Sequence, residues 1–106
     1  MAKYLIQVKY TAEGAKGLLK EGGTKRVQVV SEGIKKAGGK IEAFYFAFGK
    51  SDAFLIVDVP DTASILATNL LVNGSGAAVT HTTVLVTPEE IDAATKKGGT
   101  YTPPGH

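Results

Sequence analysis

The sequence predicts an α+β domain with helices packed on an antiparallel sheet, and three observations carry this prediction. Apolar and polar residues alternate with a period of two at residues 3–10, and residues 77–86 are rich in β-branched residues, and both features are typical of strands. Apolar residues recur at helical spacing after the first of these segments. Between them, residues 42–61 form two nearly unbroken apolar runs joined by the polar turn Gly49-Lys50-Ser51-Asp52. The middle of the chain is therefore predicted to be a buried hairpin.

The composition fits one domain. The chain has 106 residues, of which 43% are hydrophobic and 21% are charged. It has no cysteine, which excludes disulfide and thiolate chemistry. Its apolar runs fall short of the ~20 residues that span a bilayer, and Met1 leads almost directly into a predicted strand. We therefore expect no membrane association and a cytoplasmic location.

The first third of the chain is predicted to be a strand followed by one helix. The strand covers residues 3–10, with Tyr4, Ile6, Val8 and Tyr10 on one face. The glycine-rich segment 11–23 is interpreted as a connection that includes one helical turn. A helix then begins after Thr24 as its N-cap, and it ends at Gly38-Gly39.

The hairpin at residues 42–61 is apolar on both faces. On its first strand Phe44, Phe46 and Phe48 point one way, and Ala43, Tyr45 and Ala47 point the other. A strand with one solvated face would alternate apolar and polar residues. We therefore expect both faces of the sheet to be covered here.

Two further helices and one strand complete the prediction. Asp61 caps a helix whose core face is expected to include Ile65, Leu66 and Leu70. Residues 77–86 form the fourth strand, with Val79, His81, Thr83 and Leu85 opposite Thr80, Thr82, Val84 and Val86. Thr87, Pro88 and Glu90 resemble a capped start for a short helix that ends near Lys97.

The order β-α-β-β-α-β with a terminal helix is the ferredoxin-like arrangement, assigned to residues 1–97, with residues 98–106 as an extended tail. Two helices can cover only one face of a four-stranded sheet. The second apolar face would exceed the patch usual on a monomer, so we expect a second copy to cover it. The chain is thus predicted to be a homodimer through its sheet face, or a larger even assembly.

Charge is distributed unevenly. Residues 1–40 contain nine basic and three acidic residues, whereas residues 41–106 contain three basic and seven acidic residues. A solvated lysine-rich helix is the simpler explanation. The functional explanation is an anion-binding site at the start of a helix, where Lys25 and Arg26 lie in the first turn.

The motifs taken together resemble the GYD domain family of the dimeric α+β barrel superfamily. The matching positions include Tyr10-Thr11, Gly14, Lys25-Arg26, Gly38-Gly39, Tyr45, Pro60-Asp61, Gly76, Thr82 and Leu85. The family's Gly-x-Tyr-Asp signature reads Gly49-Lys50-Ser51-Asp52 here, so serine replaces its tyrosine. The resemblance implies the fold and the dimer in a small bacterial protein, and it implies no settled activity.

Candidate site residues are scattered along the chain. His81 is the one internal histidine and has a pKa range suited to acid–base chemistry, although it can equally be an ordinary strand residue. Asp52 at the hairpin turn is expected to bond backbone N–H groups, and Asp58 needs a polar partner within an apolar strand. The remaining ligand candidates are the aromatic residues Tyr10 and Tyr45 and the cations Lys25 and Arg26.

Three functions remain open from these residues. The first is a small-ligand-binding or assembly module with no cofactor and no metal, since two histidines offer no ligand spacing. The second is a cofactor-independent enzyme, a monooxygenase, isomerase or dehydratase, in which Tyr10, Tyr45 and His81 would be the groups to test. The third, an RNA-binding sheet, lacks the glycine–aromatic pattern of such sheets, so no nucleic-acid partner is expected.

Overall fold

The computed structural model describes residues 2–106, which form a four-stranded antiparallel sheet and four helices. The strands are β1 (Ala2–Tyr10), β2 (Lys40–Phe46), β3 (Ala53–Val59) and β4 (Ala78–Leu85), and the helices are α1 (Ala12–Glu21), α2 (Gly23–Lys36), α3 (Thr62–Gly74) and α4 (Pro88–Lys97). The sheet order is β2-β3-β1-β4, which confirms the predicted ferredoxin-like fold.

The core lies between the sheet and the first three helices. Period-two alternation places one face of the central strands inward, because successive side chains point to opposite faces. Ile34 of α2 and Ile65 of α3 pack against this face and are almost fully buried. The buried strand residues of this core are Tyr4, Ile6, Val8, Ala53, Leu55, Val57, Val59 and Ala78.

Segment 11–23 is a helix and not the predicted connection. Thr11 caps α1 by accepting a hydrogen bond from the backbone N–H of Gly14 at 3.2 Å. Its glycines suggested a loop, but Gly14 is required for packing. A Cβ there would lie 1.9 Å from the backbone oxygen of Ala77, so only glycine lets α1 approach the start of β4 this closely.

Helix α2 begins one residue before the predicted N-cap. Gly22, with a φ of 87°, closes α1 and precedes α2, and it has no side chain to cap the new helix. Thr24 therefore lies inside the first turn. The break between the two helices occurs at Gly22 because that positive φ suits glycine and disfavours other residues.

Helix α3 begins as predicted, but its core face is only partly as expected. Asp61 accepts a hydrogen bond from the N–H of Ser64 at 2.9 Å, which confirms the cap. Ile65 is buried at 3% exposure, whereas Leu66 and Leu70 are 54% and 73% exposed. The prediction for these two leucines was wrong because α3 has leucines on its outward side and polar Thr68 and Asn69 on its inward side, so hydropathy alone does not identify the inward side.

Helix α4 stands away from the rest of the domain. Its capping box is formed as predicted, with Thr87 and Glu90 each bonding the other's backbone N–H. All ten of its residues are exposed. Residues 98–106 contain no helix or strand.

The sheet face opposite α1–α3 is open. One cross-strand row on it, set by the strand register, runs from Tyr45 through Phe54 and Gln7 to His81. Tyr45 is 73% exposed. On the same face Asp58, with 7% exposure, accepts a hydrogen bond from Lys3 at 3.1 Å, the polar partner that its strand required. Within residues 2–106 no helix combines the length and apolar character needed to cross a bilayer.

Candidate functional site

A cavity of about 420 Å³ lies between the sheet and helices α1, α2 and α3. Its size is within the range of small-molecule pockets in proteins. Its floor is the inward face of the sheet, including Ile6, Val8 and Leu55, and its roof includes Val30 of α2 and Val72 of α3. Most of this lining is apolar, so the cavity suits a molecule that is largely apolar.

One corner of the cavity is polar and is formed by Tyr10, Glu21 and Arg26. The guanidinium of Arg26 donates from Nε and Nη2 to the two carboxylate oxygens of Glu21, both at 2.7 Å. This bidentate pair spans the break at Gly22 and joins the end of α1 to the start of α2. The pair raises the pKa of Arg26 and lowers the pKa of Glu21, so both groups are charged at neutral pH.

Donor groups at this corner remain available. A guanidinium carries five N–H donors, and the pair with Glu21 uses two of them. Within residues 2–106 the backbone N–H of Tyr10 donates to Asp52, whereas its hydroxyl makes no hydrogen bond and is not a buried unpaired atom. Burial, as the largest effect, raises the pKa of Tyr10, and Arg26 opposes this rise in part. Tyr10 therefore keeps its proton at neutral pH and can donate it in a hydrogen bond.

The opposite side of the cavity carries polar groups that satisfy one another. Thr80 donates from Oγ1 to Oδ1 of Asn69 at 3.3 Å, and Nδ2 of Asn73 donates to Thr80 at 2.8 Å. Asn69 also donates to Thr82 at 2.8 Å. These bonds fix α3 to β4, which leaves Tyr10 and Arg26 as the donors best placed for a bound molecule.

Asp52 lies next to the cavity and has a structural role. Its carboxylate accepts a hydrogen bond from the backbone N–H of Tyr10 at 2.8 Å and another from Lys9 Nζ at 3.1 Å. The bond from Tyr10, its largest influence, lowers the pKa of Asp52. These bonds tie the hairpin turn to the end of β1, which is the backbone role expected for a turn aspartate.

A second, more open groove of about 510 Å³ adjoins Asp52. Its rim includes Leu19, Phe46 and Phe48, and Phe48 extends fully into solvent. The groove and the cavity share Tyr10 and Leu18 as lining residues. Tyr10 therefore stands between them.

The structure brings together some of the six predicted ligand residues and separates others. Tyr10 and Arg26 line the cavity, and Asp52 contacts Tyr10. Lys25 is exposed beside Arg26 and lines neither the cavity nor the groove. Tyr45 and His81 lie on the open face of the sheet, on the other side from the cavity.

The sequence did not identify Glu21 as a site residue. Glu21 is the partner of Arg26 and lies five residues before it, and the two meet because one helix ends and another begins between them. Glu21 and Arg26 belong to two different helices, so the spacing of residues along one helix does not predict that they meet. The sequence analysis did not predict the helix break that brings them together.

Residues 2–106 contain no cluster of three or more histidine, aspartate or glutamate side chains placed to hold an ion.

Comparison with known proteins gives one family match. The sequence model of the GYD domain matches residues 4–95 of this chain. This range contains β2, β3, β4, most of β1 and all of the residues that line the cavity. No curated protein matches the chain.

Proposed function

The chain belongs to the GYD domain family, and we propose that it is a homodimer that binds a small, largely apolar organic molecule between its sheet and helices. The observation that carries this proposal is the cavity of about 420 Å³ with an apolar lining and one polar corner. Apolar lining supplies affinity through burial, and a few placed donors fix orientation.

The polar corner favours a neutral ligand that carries a hydrogen-bond acceptor. Tyr10 and the unused N–H groups of Arg26 are donors, so they fit a carbonyl, ether or phenol oxygen. A carboxylate would also accept from them, but Glu21 lies against the same guanidinium and would repel it. The anionic ligand expected from Lys25 and Arg26 is therefore the weaker candidate.

A cofactor-independent enzyme is the alternative function, and it would use the same cavity. Of the three groups expected for it, Tyr10 lines the cavity, whereas Tyr45 and His81 lie on the other face of the sheet. Since the pKa of Tyr10 is raised, its hydroxyl stays protonated at neutral pH and does not act as a general base there, although it can donate a hydrogen bond. Ligand binding is thus the better supported of the two.

Filling the cavity tests ligand binding. Val30 lines the cavity, and its neighbour Val29 is exposed outside it, so the two valines form a matched pair. With the neutral fluorophore N-phenyl-1-naphthylamine as probe, Val30→Phe should abolish the fluorescence rise on titration and Val29→Phe should retain it. Equal binding by both variants, with unchanged circular dichroism spectra, would place the probe elsewhere and count against the proposal.

The homodimer is proposed to form through the open sheet face. The support is the row of Tyr45, Phe54, Gln7 and His81, where a half-exposed Phe54 and a largely exposed Tyr45 stand side by side. Burial of such aromatic surface by a second copy would be favourable, and aromatic residues are enriched in interfaces.

Light scattering tests the dimer. The wild-type chain should have at least the mass of two 11.0 kDa chains at micromolar concentration. Tyr45→Lys, which places a charge within the proposed interface, should shift the equilibrium toward monomer. Tyr101→Lys changes an equally exposed tyrosine in the tail and should leave the mass unchanged. A monomeric wild-type chain would refute the sheet-face dimer.

A further inference from the structure

Helix α3 has an exposed apolar stripe that the fold of one chain does not use. The stripe consists of Ala63, Leu66, Ala67, Leu70 and Gly74, all exposed. Their spacing of three and four residues places them on one side of the helix. The inward side is formed by Ile65, Thr68, Asn69 and Val72, which are buried or half-buried.

Charge distinguishes α3 from the other helices. Its residues 62–74 include no aspartate, glutamate, lysine or arginine, whereas α1, α2 and α4 each carry acidic and basic residues on exposed positions. Charged faces of that kind are stable in water. An uncharged helix with leucines more than half exposed is expected to have a partner.

The lack of charge also limits what that partner can be. A lipid surface is normally bound by a helix with lysines or arginines on its polar face, and α3 has none. A charged protein partner would find no complementary group along the stripe. A second α3 is complementary, because two copies of an uncharged helix meet without like-charge repulsion.

We propose that α3 pairs antiparallel with α3 of a second copy, as a two-fold interface separate from the sheet-face dimer. An antiparallel pair centred between Ala67 and Leu70 sets Leu70 of each copy against Ala67 of the other, and Ala63 against Gly74. Leu70 then packs against a small residue, and the two ends of the stripe are also small, which allows the two helices to approach closely. The antiparallel direction also aligns the two helix dipoles favourably.

The interface would join dimers into a larger even assembly. A helix of thirteen residues is about 20 Å long, so one such pair is small compared with the ~1,200–2,000 Å² of a standard interface. It therefore adds to an existing dimer and does not replace it. Its occurrence does not depend on ligand binding in the cavity.

A cross-linking experiment tests this pairing, since the chain has no cysteine of its own. A single cysteine introduced by Ala67→Cys should cross-link between copies with a short bismaleimide. It should do so at least about tenfold faster than a cysteine introduced by Gln28→Cys on the exposed surface of α2, because pairing raises the local concentration. Leu70→Lys added to Ala67→Cys should remove this advantage.

A second pair of measurements distinguishes the α3 interface from the sheet-face dimer. Leu70→Lys should reduce the mass seen in light scattering to that of the sheet-face dimer, whereas Tyr45→Lys should reduce it further, toward that of a monomer, because the α3 pair alone is too small to hold two copies together. Because Leu70 is 73% exposed, circular dichroism of Leu70→Lys should match the wild type. Equal cross-linking at positions 67 and 28, or a cross-link at 67 that survives Leu70→Lys, would overturn the proposal.

Discussion

Asp52 shows what single residues contribute and how far the sequence predicts them. Its position in a hairpin turn predicted a carboxylate bound to nearby backbone N–H groups. The structure has that kind of bond, but the donor is Tyr10, 42 residues earlier in the chain. The type of interaction follows from local chemistry, whereas its partner follows from strand pairing, which no local pattern specifies.

The bond at Asp52 predicts a specific pH dependence of stability. Its pKa is lowered in the folded chain, so the ionised form stabilises the fold above the unfolded-state pKa of about 4. This contribution is lost as the pH falls through the folded-state pKa. In urea unfolding, Asp52→Asn should be less stable than the wild type at pH 6, and the difference should shrink below about pH 4.

Asp92→Asn is the control for the pH experiment, because it removes the same charge from an exposed position on α4. It should show no loss of stability at pH 6 comparable with that of Asp52→Asn. A difference between wild type and Asp52→Asn that stays constant from pH 6 to pH 3 would contradict this account of the carboxylate.

At the scale of elements, the caps were predictable and the glycine-rich helix was not. Asp61 and Thr87 identified the starts of α3 and α4, because side-chain caps act within three residues. Helix α1 was missed, since Gly14 and Gly17 lower its intrinsic helix propensity. Its stability comes from packing against β1, α2 and the Ala77 backbone just before β4, and Ala77 is far away in the sequence.

Replacing Gly14 or Gly17 of α1 with alanine should change the stability of the fold in opposite directions. Gly14→Ala should destabilise the fold by about 1–3 kcal/mol, because the new Cβ would collide with the Ala77 carbonyl. Gly17→Ala meets no atom within 4 Å and should stabilise it by roughly 0.5–1 kcal/mol through higher helix propensity. Thermal unfolding of both variants measures the two effects, and the same sign for both would refute this explanation.

At the scale of the whole molecule, topology was predictable and the site was not. The alternation of strand and helix patterns gave the ferredoxin-like sheet order. The cavity depends on how closely three helices approach the sheet, which small differences in packing decide. Tyr10 and Arg26 were expected as ligand residues and line the cavity, but their association with Glu21 required the break at Gly22.

The two apolar faces of the hairpin also have different roles at this scale. The inward face forms the core and the cavity floor. The outward face, with Tyr45 and Phe54, is open in the single chain. Coverage of that face by a second copy remains a prediction, and the α3 pair is a separate one.

The central claim is that the cavity holds an apolar molecule through an acceptor at the Tyr10–Arg26 corner, and a competition titration tests it most directly. Three naphthalenes of equal size compete against N-phenyl-1-naphthylamine: 2-acetylnaphthalene, 2-isopropylnaphthalene and 2-naphthoate. The ketone should bind about tenfold more tightly than the hydrocarbon, which has no acceptor, and more tightly than the carboxylate, which Glu21 repels. Tightest binding by 2-naphthoate, or equal binding by all three, would contradict the proposed role of this corner.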